Sequence, residues 1–128
     1  MLARMGLLES LRGLLGRNKR YDQAQASRLE VHTANLSPDT AELLVVITLD
    51  ADSFNRLRRI DAPLRLSPTT GRAVTFVPVG DAKDPALDPN LGWIIPVTRG
   101  SLDKLRTLPA TPGSYEIDGT HLAFVVTA

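Results

Sequence analysis

Residues 44–80 read LVVITLDADSFNRLRRIDAPLRLSPTTGRAVTFVPVG, and residues 92–128 read GWIIPVTRGSLDKLRTLPATPGSYEIDGTHLAFVVTA. At an offset of 48 residues the two stretches align without a gap. Ile47/Ile95, Ser53/Ser101, Leu57/Leu105, Arg58/Arg106, Ala62/Ala110, Gly71/Gly119, Phe76/Phe124 and Val77/Val125 are identical. Eight identities in thirty-seven positions exceed the roughly three expected by chance when looking for repeats. Val46/Ile94, Phe54/Leu102, Arg56/Lys104, Ile60/Leu108 and Val74/Leu122 are conservative pairs. Each stretch reads as strand, short helix and hairpin.

Leu43–Leu49 is nearly continuous in apolar residues and β-branched at its centre, which predicts a central strand covered on both faces. Asp52 or Ser53 can cap a short helix with Phe54, Leu57 and Ile60 inward, and Pro63 ends it. Leu64–Leu66 and Ala73–Val79 form a hairpin. Gly80–Asn90 carries Asp81, Asp84, Asp88 and two prolines and reads as a surface loop. Residues 93–97 are a strand, and Ser101 caps a helix with Leu102, Leu105 and Leu108 inward. Asp118-Gly119 turns a final two-residue hairpin, which sets Glu116 opposite His121 and puts Tyr115, Ile117, Leu122, Phe124 and Val126 on one apolar face. Ahead of the repeat, Leu29 and Val31 alternate with polar neighbours as a half-buried strand that leaves His32 exposed.

The fold class is therefore α+β, a duplicated β-α-β-β unit closing into one mixed or antiparallel sheet or a pseudo-symmetric barrel, with a cleft at the seam. This layout resembles the paired βαβββ metalloenzymes of the vicinal oxygen chelate type. The resemblance implies a metal held by His and Glu from both halves. Residues 44–80 contain neither residue type, so no metal and no cofactor is expected.

The chain has 128 residues, 43% hydrophobic and 23% charged, and no Cys. That is globular composition. It excludes disulfides, a thiol nucleophile, Cys-ligated zinc and iron–sulfur clusters. Charge is divided unevenly. Residues 1–28 hold six basic and two acidic side chains, a net of +4, and residues 29–128 carry −3. A basic arm on an acidic body points to an anionic partner or to the protein's own body.

Within the arm, Leu7, Leu8, Leu11, Leu14 and Leu15 form one apolar stripe at helical spacing, with Arg12 and Arg17 on its flanks. Arg17-Asn18-Lys19-Arg20 supplies a cationic helix end. The stripe is too short to span a bilayer. Arg4, Glu9 and Arg12 break any signal-peptide core. In pattern this segment resembles the membrane-targeting starts of bacterial division-site proteins such as MinE and SepF, over about the first thirty residues. It fits an interfacial helix, a helix in a partner's groove, or a helix packed on its own domain. The expected organisation is an amphipathic helix and basic run over 1–20, a linker over 21–27, and one domain over 28–128.

No residue cluster specifies catalysis. The chain lacks Walker A, dinucleotide-binding, nucleophile-elbow and zincin motifs. Asp50 and Asp52 bracket a strand end and a helix start, where a capping role competes with a metal or acid–base role. Arg56, Arg58 and Arg59, repeated by Lys104 and Arg106, form a basic face expected to turn outward, with Arg65 and Arg72 nearby. The resulting expectation is a non-catalytic, cytoplasmic binding or adaptor protein docked through residues 5–20 to a membrane surface or a protein partner. The alternative is a nucleic-acid-binding accessory protein using the arm and the Arg56–Arg72 patch. A third reading is a small-molecule enzyme at the repeat seam.

Overall fold

Two mixed sheets carry the fold, in place of the one sheet or pseudo-symmetric barrel expected. The computed structural model describes residues 22–35, 43–81, 83–117 and 121–128. Among these it shows an α+β arrangement of nine strands and two helices. In chain order they are β1 (Asp22–Gln25), β2 (Leu29–Asn35), β3 (Leu43–Asp50), α1 (Ala51–Leu57), β4 (Leu64–Ser67), β5 (Val74–Val79), β6 (Ala86–Asp88), β7 (Gly92–Thr98), α2 (Arg99–Thr107), β8 (Gly113–Ile117) and β9 (Leu122–Thr127). The first sheet runs β1-β4-β5-β7-β6 and the second β2-β3-β9-β8, each mixing parallel and antiparallel pairs. The leucine stripe over residues 7–15 lies outside the described residues.

The centre of each sheet joins the two stretches of sequence. β5 lies parallel to β7 with Val74 opposite Trp93, and β3 lies parallel to β9 with Val45 opposite Leu122. Adding 48 to Val74 and subtracting 48 from Trp93 turns the first pair into the second. The flanking bonds match as well, Trp93 N–H to Ala73 O at 3.0 Å and Val45 N–H to His121 O at 2.8 Å. The offset does not hold at the fourth strand. Leu64 faces Phe76 in β4–β5, whereas Tyr115 faces Phe124 in β8–β9. Leu64 and Tyr115 are 51 apart, so β8 enters three residues later.

That shift overturns the expected last hairpin. Ile117 pairs with Leu122 and Glu116 with Ala123, leaving four residues between the strands instead of two. Glu116 therefore does not face His121, which lies exposed. Either register puts the same set on the inner face, and Ile117, Leu122, Phe124 and Val126 are all buried. Two further elements escaped the hydrophobic pattern. Residues 22–25, expected as linker, form β1, a polar edge strand held to β4 by backbone bonds. Residues 86–88, expected as loop, form β6, whose Ala86 and Asp88 are buried.

One core joins the inner faces of both sheets to the helices. Phe54, Phe76 and Phe124 are fully buried, and the Phe54 ring lies 5.6 Å from Phe124 and 6.0 Å from Tyr115. Truncating such a ring costs about 3–5 kcal/mol. α1 has seven residues, too few to stand alone, so packing of Phe54 and Leu57 holds it. Pro78 and Pro96 sit inside central strands, where a missing N–H normally breaks a ladder. Here β4 ends its pairing at Leu64–Phe76 and β6 at Ala86–Ile94, so each proline lies just past its neighbour's end. Gly92 takes φ +84°, and a Cβ there would stand 2.2 Å from Ala73 O, at the bond that joins β5 to β7.

Candidate functional site

The side chains with chemical potential are largely engaged with the backbone. Asp50, not Asp52 or Ser53, is the N-cap of α1: its carboxylate accepts from Ser53 N–H at 3.1 Å and Ser53 Oγ–H at 2.7 Å. It also accepts from Arg28 N–H at 3.3 Å, tying the start of β2 to the helix. Burial raises the pKa of this carboxyl, but the bonds from Ser53 and Arg28 outweigh it and hold the group below the usual carboxylate range. Thr98, 48 residues on, caps α2 in the same way, accepting from Ser101 N–H at 3.2 Å. Ser53 and Ser101 are thus third-position donors rather than caps. The expectation erred because an aspartate closing a strand and an aspartate opening a helix look alike in sequence. Asp88 is fully buried and accepts from Asn90 and Leu91 N–H, both at 2.8 Å, turning β6 into β7.

Arg58 and Arg106 exchange helix ends. Arg58 donates from Nε to Leu105 O at 3.2 Å and from Nη2 to Arg106 O at 3.0 Å. Arg106 donates from Nε to Arg58 O at 3.1 Å and from Nη2 to Ile60 O at 3.5 Å. Each guanidinium reaches carbonyls at the C-terminal end of the other helix, Leu105 O accepting also from Leu108 N–H at 3.2 Å, and a cation there is favoured by the dipole. The two residues are identical at offset 48, the one signal in the sequence that marked them as a pair.

The remaining basic residues fall in separate places. Arg56, Arg59 and Lys104 are exposed. Arg56 and Arg59 line an open basin together with Asp22 and Asp52. Arg65 and Arg72 line another beside Pro68, Pro89 and Asn90. The structure therefore distributes the Arg56–Arg72 stretch over two basins, one of them mixed in charge. Leu7, Leu8, Leu11, Arg12, Leu14, Leu15, Arg17, Lys19 and Arg20 lie outside the described residues. His32 is exposed, as expected, with Nε2 3.5 Å from Glu30 Oε2. Among the described residues no group of three or more His, Cys, Asp or Glu could hold a metal ion. No helix among them is long and apolar enough to cross a membrane. Compared with known proteins, the sequence matches no family model and no curated protein.

Proposed function

We propose a non-catalytic binding or adaptor protein of the cytoplasm that docks through residues 5–20 to an anionic membrane surface or a protein partner. The observation that carries this reading is the split between a leucine-striped arm of net +4 and a body of net −3. Apolar area and cationic flanks together suit interfacial binding. The body supports it indirectly. Asp50, Asp88, Arg58 and Arg106 serve the fold, so they are poor candidates for chemistry on a substrate. The test is flotation of the full chain with phosphatidylserine-rich vesicles, beside a pull-down, for wild type and Leu11→Glu. Leu11→Glu abolishes docking with thermal unfolding unchanged, because a carboxylate at the stripe centre opposes burial. Global unfolding by Leu11→Glu would place the stripe in the core and end this reading. A salt-sensitive shift of duplex DNA lost on reversing Arg65 and Arg72 would favour the nucleic-acid alternative.

We also infer that residues 44–80 and 92–128 descend from one β-α-β-β unit by duplication, giving a pseudo-symmetric fold. Matched central registers, matched caps at Asp50 and Thr98, and the Arg58–Arg106 exchange support this. On this reading an aspartate can serve as the α2 cap. Thr98→Asp stays closer to wild type than Thr98→Ala, which costs about 0.5–2 kcal/mol.

A further inference from the structure

We propose that β2 is a self-pairing edge, through which two copies of this chain join their second sheets in antiparallel register centred on Val31. The partner is a second copy, and the argument starts from backbone parity. Asp50 N–H donates to Arg28 O at 3.2 Å, and Val45 N–H donates to His121 O at 2.8 Å. Even-numbered β3 residues therefore bond β2, and odd-numbered ones bond β9. Register pairs Glu30 with Thr48 and His32 with Val46, so Glu30 and His32 direct their amides and carbonyls toward β3. By alternation, Leu29, Val31 and Thr33 direct theirs away from the sheet. Among the described residues β3 is the only ladder partner of β2.

β2 differs from the other edges. It has seven residues and contains neither proline nor lysine, the usual guards of an exposed edge. β6 has three residues and lies between Pro85 and Pro89. β1 has four. β8 follows Pro109 and Pro112, and its exposed polar residues are Ser114 and Glu116.

Pairing of the Glu30 and His32 side chains fixes the register. When Val31 of one copy faces Val31 of the other, Leu29 faces Thr33 and Arg28 faces Ala34. Glu30 then faces His32, twice, once on each side of the twofold axis. The Val31–Val31 and Leu29–Thr33 positions are hydrogen-bonded pairs, as the outward amides require. The Glu30–His32 positions fall at non-hydrogen-bonded pairs, where facing side chains approach most closely. Both residues are exposed, with side chains 47% and 65% accessible, and Glu30 Oε2 also accepts from Arg28 Nη2 at 3.3 Å within its own chain, so a pair across the axis adds to that contact. The dyad is the symmetry that self-complementary surfaces favour.

The test is sedimentation equilibrium of the full chain from about 1 μM to about 1 mM, the range in which small interfaces associate. The expected result is a mass that rises toward twice that of the chain. Val31→Pro removes an outward N–H and leaves the β3 ladder intact, so it weakens association at least tenfold. Glu30→Lys removes the carboxylate that accepts from the facing imidazole and does the same. Glu30→Lys combined with His32→Glu restores association to within about threefold of wild type. A chain monomeric throughout the range overturns the proposal, as does association that survives Val31→Pro. Sensitivity to Val31→Pro without sensitivity to Glu30→Lys overturns the register. Flotation with Leu11→Glu reads the arm separately, so the two readings fail independently.

Discussion

Removing Arg58 should cost more than an exposed arginine usually does. Its Nε and Nη2 reach two carbonyls, Leu105 O at 3.2 Å and Arg106 O at 3.0 Å, that end α2. A hydrogen bond from a charged donor contributes roughly 1.5–3 kcal/mol. Solvent around the guanidinium reduces that, as it does for surface ion pairs. The expected loss for Arg58→Ala is then about 1–2 kcal/mol. Arg106→Ala should cost about 0.5–1 kcal/mol, because Nη2 to Ile60 O is long at 3.5 Å. Arg58→Lys should recover only part of the loss, since a single ammonium cannot span both carbonyls. The double variant should cost less than the sum by at least about 0.5 kcal/mol. Each side chain steadies the backbone that offers acceptors to the other, so the second removal finds its bonds already weakened. Urea unfolding measures this. With a slope of about 1.5 kcal/mol/M, a loss of about 1.5 kcal/mol lowers the midpoint by about 1 M. An Arg58→Ala midpoint equal to wild type, or strictly additive losses, would refute the exchange as a stabilising device.

Asp50 has its pKa lowered in the folded chain, so its contribution to stability is fully present above the ordinary carboxylate value near 3.8 and lost as pH falls through the folded value. Asp50→Asn should therefore be destabilised at neutral pH, with the gap to wild type closing in acid; a constant gap in urea midpoints across pH would contradict this. Gly92→Ala should cost at least about 2 kcal/mol, since φ +84° and a Cβ 2.2 Å from Ala73 O force β7 away from β5; a thermal midpoint within a degree of wild type would show that the crossing relaxes freely. Thr75 Oγ1 is buried without a hydrogen-bond partner, so Thr75→Val should be neutral or stabilising by up to about 1 kcal/mol; a lower thermal midpoint would mean the hydroxyl is satisfied.

Much of the fold is legible in the sequence because burial follows period. Val45, Ile47 and Leu49 alternate onto the inner face of β3, and Phe54, Leu57, Leu102 and Leu105 are all buried as the helical spacing predicts. What escapes has little apolar signal. β1 reads Asp-Gln-Ala-Gln, and only parallel bonding to β4 makes it a strand. The Asp118-Gly119 dipeptide suggests a two-residue turn, but the register is set by where Tyr115 and Phe124 meet in the core. Sheet number escapes for a different reason. Periodicity says that a strand has a buried face, and it does not say which strand lies beside it.

That missing information bears directly on function. Because β5 pairs with β7 and β3 with β9, the middle of each sheet is the seam between the halves. A seam between repeats is where a cleft is expected, yet here it is filled by Phe76, Ile95, Ile47 and Phe124, all fully buried. The helix ends that would open beside it are closed by Arg58 and Arg106. Interlocking two halves through their central strands puts the open ladder positions of the described strands at the sheet edges. Of those edges, β2 is the long one whose Glu30 and His32 face each other under a twofold. If the β2 edge and the basic arm carry recognition, as proposed above, substitutions in either should alter association while leaving the unfolding midpoint near that of wild type.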